Sequence, residues 1–185
     1  MARTRGTLHF APGIPFEEVD INSPKIIPQF CCRLEGFYLQ PAKNLIAMES
    51  TFSAGVLIIC CMDALSRYDP AYRGFKKHRH RFPEWVVGEM KSFDGDRNIA
   101  RQFYRAFRCG LVHEARIKAV GEFTLDTGMA VVSNGTFLVV NPDLLLADVT
   151  DALHAFAGKL KNEKSFLADF QNELQRDFAG HFRIR

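Results

Sequence analysis

The chain has 185 residues and a mass of 21.0 kDa, and 47% of its residues are hydrophobic. This length supports one domain with a full hydrophobic core, and the apolar content excludes a mostly disordered protein. The 24 Lys and Arg against 21 Asp and Glu give a net charge of +3, which by itself does not indicate a nucleic-acid partner. A nucleic-acid function must therefore be argued from where the charges lie.

The cysteines do not have the spacing of a zinc or redox motif. The sequence contains Cys31, Cys32, Cys60, Cys61 and Cys109. We expect reduced core thiols in a cytoplasmic protein, with no metal and no cofactor. The N-terminus has no apolar segment of the signal-peptide kind, and the longest apolar run, residues 54–62, is about half the roughly 20 residues of a membrane span. No membrane association is predicted.

Along the chain, residues 1–22 show no hydrophobic period, which predicts a flexible N-terminal arm ahead of a single helical domain, residues 23–185. Two helices are predicted next, over residues 23–43 and 44–68, and the second is apolar on nearly every side, as a central helix is. Residues Arg73–Arg81 (RGFKKHRHR) then concentrate positive charge. Such a run is typical of a solvated loop or helix edge, and the alternative is contact with a polyanion.

Residues 97–113 form the most regular predicted helix, because apolar side chains recur on one face at steps of three and four. The opposite face carries Arg97, Arg101, Arg105 and Arg108. A small antiparallel β-hairpin is predicted at about 118–140, since Asn134-Gly135 separates two apolar runs. Helical spacing resumes after Asn141, with a weak point near Gly158 or Asn162. The pattern predicts a mainly α protein, a helical bundle with one small hairpin.

Few catalytic signals are present, since the sequence has no P-loop, nucleophile elbow, dinucleotide fingerprint or complete zinc-protease motif. The remaining constellation is Arg108 and His113, near the end of the arginine-bearing helix. Both suit the C-terminal end of a helix dipole, which alone could explain them. Five helical residues rotate by about 140°, so we expect the two side chains to diverge and a complete site to need two chains. A thiolate–imidazole pair of Cys109 and His113 is a further alternative.

A helix carrying Arg-x4-6-His in a small helical domain resembles the HEPN superfamily, many of whose members are metal-independent ribonucleases. The similarity centres on residues 104–117 (YRAFRCGLVHEARI). It implies a helical bundle that forms a homodimer with the motif helices facing each other, and it implies that Arg108 and His113 are the catalytic pair. The chain differs from the family pattern at Cys109, where active members commonly carry Asn, Asp or His, and in the added hairpin.

These features lead to the hypothesis of an RNA-binding protein that cleaves RNA without a metal. The 2′-hydroxyl of RNA would be the nucleophile, His113 would transfer a proton, and Arg108 would stabilise charge on the phosphate. Arg97, Arg101 and Arg105 would bind nucleic acid, although pairing of Arg101 or Arg105 with an acidic neighbour explains the stripe equally well. The alternative hypothesis is an inactive HEPN-like module that binds a nucleotide or a protein, for example an antitoxin in a defence or toxin–antitoxin pair.

Overall fold

The computed structural model describes residues 8–118 and 120–180. The protein is mainly α, a helical bundle with two small sheets, as the hydrophobic periods predicted. The helices are α1 (Ile26–Leu34), α2 (Gln40–Ala47), α3 (Thr51–Tyr68), α4 (His78–Glu89), α5 (Arg97–Phe103), α6 (Cys109–Glu114), α7 (Pro142–Asn162) and α8 (Lys164–Phe178). Two π-helical segments, Glu35–Leu39 and Tyr104–Arg108, join α1 to α2 and α5 to α6. The strands are β1 (His9–Ala11), β2 (Ile14–Pro15), β3 (Gly121–Phe123), β4 (Val131–Ser133) and β5 (Leu138–Val140).

Helix α3 lies at the centre of the bundle, in contact with α2, α4 and α7. Its sequence is apolar on most sides, and Ile58, Ile59, Met62 and Leu65 are fully buried. Among the described residues, α3 is the one helix whose length and mean hydropathy of 1.2 fit a membrane span, a property that buried core helices share. The predicted helix over residues 44–68 is interrupted before α3, where Glu49 has a φ of 57°.

Residues 8–22 pack onto the bundle and differ here from the predicted flexible arm. β1 and β2 form an antiparallel ribbon, and the Phe10 side chain is fully buried. Arg33 of α1 donates a hydrogen bond to the Phe10 carbonyl oxygen, and its guanidinium lies 5.3 Å from the centre of the Phe10 ring. Residues 1–7 of the predicted arm lie outside the described residues.

The predicted hairpin is formed by β4 and β5, which pair antiparallel across the turn at Asn134-Gly135. Gly135 has a φ of 90°, a conformation that glycine adopts without strain. The preceding apolar run forms β3, which pairs with β5 in parallel and makes a three-stranded mixed sheet of order β3-β5-β4. Phe123 of β3 packs directly on the backbone of α3 at Gly55, because a Cβ atom there would overlap the Phe123 ring.

The helices that matter for the candidate site begin and end as their sequences dictate. Asp96 caps α5 by accepting hydrogen bonds from the backbone N–H groups of Asn98 and Ile99. The break that was expected near Gly158 or Asn162 falls after Asn162, where α7 ends and α8 begins. The apolar faces of α5 and of the π-helical segment Tyr104–Arg108 pack inward through Phe103 and Phe107, so the arginine side chains face α3 or solvent.

Candidate functional site

A bidentate ion pair joins the motif helix to the centre of the bundle. Arg108 Nε lies 2.9 Å from Asp63 Oδ1, and Arg108 Nη2 lies 3.1 Å from Asp63 Oδ2. Asp63 is the single acidic residue of α3, so its charge stands out in an apolar helix. The Arg108 side chain is 12% exposed and that of Asp63 is 29% exposed. The pair therefore holds α3 against the segment Tyr104–Arg108 in a partly dry environment.

The environment keeps both members of this pair charged. Burial acts to raise the pKa of Asp63, but the contacts with His78 and Arg108 outweigh it and hold that pKa below its ordinary value. Burial acts to lower the pKa of Arg108, and the Asp63 carboxylate more than offsets it, so the guanidinium is more firmly protonated than usual. Arg108 is consequently a fixed cation whose charge is already neutralised on one edge.

His113 completes the predicted pair within a single chain. Its exposed imidazole places Nε2 2.9 Å from Arg108 Nη1. Because a guanidinium has donors only, Nε2 must be the acceptor, and the contact requires a neutral imidazole with its proton on Nδ1. The arrangement thus presents an unprotonated imidazole nitrogen beside a cation.

The expectation that Arg108 and His113 diverge is wrong. It considered only the rotation of about 140° between two positions five residues apart in an α-helix, and the residues that follow Arg108, Cys109–Glu114, are indeed α-helical. It left out the length of the arginine side chain. The long Arg108 side chain then reaches His113, and one chain suffices to bring the pair together.

Asp63 and His78 belong to this cluster and were missed from the sequence. His78, the first residue of α4 and part of the basic run, places Nε2 2.7 Å from Asp63 Oδ1, outside the preferred hydrogen-bond direction. Its Nδ1 is buried without a hydrogen-bond partner among the described residues. Phe82 and Tyr104 flank the ring, each with its ring centre 5.9 Å away. A lone carboxylate in an apolar helix is the sequence signal that points to Asp63.

The four arginines of the predicted stripe have two different environments. Arg97 pairs with Glu84 at 3.1 Å, and Arg108 pairs with Asp63. Arg101 and Arg105 are exposed and have no ion-pair partner among the described residues. Only these two therefore offer an uncompensated charge to a ligand on this helix.

Thiols lie around the cluster without forming a metal site. All five cysteines are free, and burial is the main reason that the pKa values of Cys60 and Cys61 are raised, which keeps both protonated. Cys109 hydrogen bonds with Tyr104, whose pKa is about 12 because of burial and this thiol. Over residues 8–118 and 120–180, no group of three or more His, Cys, Asp or Glu side chains is arranged to hold a metal ion.

Comparison with known proteins gives no further assignment. No family model, no curated protein and no solved structure matches this chain. The similarity to the HEPN superfamily thus remains a prediction based on the Arg-x4-His motif, and function has to be argued from the Asp63–Arg108–His113 cluster itself.

Proposed function

We propose that this protein binds RNA and cleaves it without a metal, with Arg108 and His113 as the catalytic pair. The observation that carries the proposal is the 2.9 Å contact between Arg108 Nη1 and the exposed His113 Nε2. A permanent cation and a neutral imidazole are the two groups that cleavage by the RNA's own 2′-hydroxyl requires. Both are supplied here by one chain.

Arg108 retains the donors that phosphate binding needs. Of its five N–H groups, two bind Asp63 and one meets His113, which leaves one on each terminal nitrogen. Two such donors can bind two oxygens of one phosphate. Exposed Arg105 and Arg101, about one and two turns before Arg108, are placed for neighbouring phosphates.

The proposed reaction begins when a phosphate oxygen replaces His113 as the acceptor for Arg108 Nη1. The freed Nε2 then takes the proton of the 2′-hydroxyl, whose oxygen attacks the adjacent phosphorus. The P–O2′ bond forms as the P–O5′ bond breaks, and the leaving 5′ oxygen takes a proton from water. Arg108 stabilises the charge on the phosphorane oxygens, and the product carries a 2′,3′-cyclic phosphate.

A homodimer remains part of the proposal, as the HEPN similarity implies. Because one chain already assembles Arg108 with His113, the second chain would add a second pair and a wider basic surface. It would not supply a missing member. RNA is the proposed ligand, and a cytoplasmic location, where RNA is available, agrees with this function.

A second candidate function is favoured by the burial of Arg108. With 12% of its side chain exposed and Asp63 already paired to it, Arg108 is also suited to a purely structural role. Cys109, in place of the Asn, Asp or His of active HEPN members, favours the same conclusion. In that case the domain is an inactive module that binds a nucleotide or a protein partner such as an antitoxin.

Cleavage of labelled single-stranded RNA in EDTA by wild type, His113→Gln and His154→Gln distinguishes the two candidates. His154 is an exposed histidine of α7 and provides a matched control. We expect wild type and H154Q to cleave and H113Q to lose about 100-fold or more of the rate, as the loss of a general base requires. Equal rates in all three proteins would contradict the role of His113. No EDTA-resistant cleavage by wild type would favour the inactive module.

A further inference from the structure

In the basic run Arg73–Arg81, the first and last residues have hydrogen-bond or ion-pair partners, whereas the central cations have no carboxylate partner among the described residues. Arg73 binds Asp169 at 2.8 Å, and Arg81 donates hydrogen bonds to the backbone carbonyls of Phe75 and Arg67. The central Lys76, Lys77 and Arg79 are exposed. Within residues 8–118 and 120–180 none of these three has a carboxylate partner, and Arg79 reaches only the ring of His80. We refer to residues 76–79 as the basic segment.

The basic segment lies beside the candidate catalytic pair. His78, in the middle of the segment, contacts Asp63 at 2.7 Å, and Asp63 binds Arg108. The ring of His78 also packs on Tyr104, one helical turn before Arg108. The backbone of Lys77 and Arg79 is therefore fixed on either side of a residue that contacts both Asp63 and Tyr104.

The local electrostatics favour an anion at this position. The segment leads into the first turn of α4, where Arg79 and Arg81 lie at the positive end of the helix dipole and no acidic residue is present. Cations here repel one another and the helix dipole, a cost that bound phosphates would remove. Paired Arg73 and Arg81 fix the ends of the run, so the unpaired charges between them are held together on one surface.

We propose that Lys76, Lys77 and Arg79 form a binding site for the phosphate backbone of single-stranded RNA, continuous with the Arg108–His113 pair. The identification of the ligand as RNA rests on the proposed function. The inference that a polyanion binds here rests on the exposed cations without carboxylate partners. The segment binds phosphates on one side of the cleaved bond, and Arg101 and Arg105 bind them on the other. It contributes affinity and no chemistry.

The test compares two triple variants with the same change in net charge. K76Q/K77Q/R79Q removes the proposed site, and K43Q/K161Q/K164Q removes three exposed lysines from α2, the end of α7 and the start of α8. The probe is a fluorescein-labelled 2′-O-methyl RNA of roughly 16 nucleotides, a length of the order that single-strand-binding folds cover. Because it has no free 2′-hydroxyl, binding is measured without cleavage, by anisotropy between about 50 and about 200 mM salt.

We expect the segment variant to bind about tenfold or more weakly and its salt slope to fall by about 2, since each lost single-strand contact contributes about 0.7. The control variant should match wild type in slope. Equal losses in both variants would show that only net charge matters, and no binding by wild type would likewise overturn the site. The proposed function is tested separately, with unmodified RNA in EDTA. If wild type binds RNA through the basic segment but does not cleave it, the phosphate-binding site is supported and the ribonuclease proposal is refuted.

Discussion

Replacing Asp63 by Asn tests whether the Asp63–Arg108 pair stabilises the bundle. The Arg108 side chain is 12% exposed in the wild-type protein, and the substitution removes its counter-charge. Removal of one partner from a fully buried pair costs about 3–5 kcal/mol. Because Asp63 is 29% exposed, water can partly replace the carboxylate, and we expect a loss of about 2–3 kcal/mol in the free energy of unfolding. At an m value of about 2 kcal/mol/M, the urea midpoint falls by about 1 M or more.

A double-mutant cycle with Arg108→Met identifies the cause of that loss. In the R108M background no buried cation remains, so D63N should cost less than about 1 kcal/mol. Asp151→Asn is the matched control, because its pair with Lys91 is exposed, at 64% and 82%, and should contribute within about 0.5 kcal/mol. If D63N costs the same in both backgrounds, within about 0.5 kcal/mol, the reasoning about a neutralised buried cation is refuted.

The pH dependence of the same variant has a defined sign. The pKa of Asp63 is lower in the folded protein than its ordinary 3.8, so the unfolded chain binds its proton first as the pH falls. The stabilisation is therefore complete above pH 3.8 and is lost as the pH falls through the lower folded pKa. Wild type and D63N should differ most near neutral pH and converge in strong acid, as urea midpoints measured across this range will show.

Two further predictions concern other buried groups. Burial raises the pKa of Asp69 to about 6, and its Oδ2 is buried without a hydrogen-bond partner among the described residues. The wild-type chain should therefore lose stability as the pH rises from about 4 to about 6. Asp69→Asn should be more stable than wild type by about 2 kcal/mol at pH 8 and about equally stable at pH 4. A difference in urea midpoint between the two proteins that does not change with pH would contradict this. Gly110→Ala should destabilise the protein by about 1–3 kcal/mol, because the added Cβ would overlap the Arg116 carbonyl oxygen. Gly158→Ala should stabilise it by roughly 0.5–1 kcal/mol, because Gly158 lies within α7 and a Cβ there would meet open space. Thermal unfolding of both alanine variants measures this contrast, and equal shifts would exclude the steric explanation.

The helices and the hairpin were predictable because their signals are local. Apolar spacing of three and four indicated the arginine-bearing helix, and Asn134-Gly135 indicated the turn between β4 and β5. The parallel pairing of β3 with β5 was not predicted, because β4 and the turns on either side of it lie between these two strands in the sequence. The burial of Phe10 was missed for a similar reason, since its partners lie on distant helices and its own segment has no period.

The candidate site was only half predictable from the sequence. Arg108 and His113 share a local motif, but Asp63 and His78 are 45 and 30 residues before Arg108 and meet it only through the packing of α3 and α4. The expected divergence of Arg108 and His113 was wrong because helical rotation describes where side chains start and not how far they extend. The long Arg108 side chain reaches His113 Nε2 across that angle.

The two roles of Arg108 decide which substitutions are informative about function. Any change that removes its charge also leaves Asp63 with only His78 as a partner, so lost activity in R108A or R108M would mix unfolding with chemistry. His113 is exposed, and its contact with Arg108 contributes little to packing, so H113Q separates catalysis from stability. The side chains of Lys76 and Lys77 are also exposed and form no ion pair with any residue that the structure describes. If the site cleaves RNA, H113Q should lower the cleavage rate and K76Q/K77Q/R79Q should weaken RNA binding, and both variants should keep wild-type stability. If the Asp63–Arg108 pair is only structural, neither change should alter the activity or the stability of the protein.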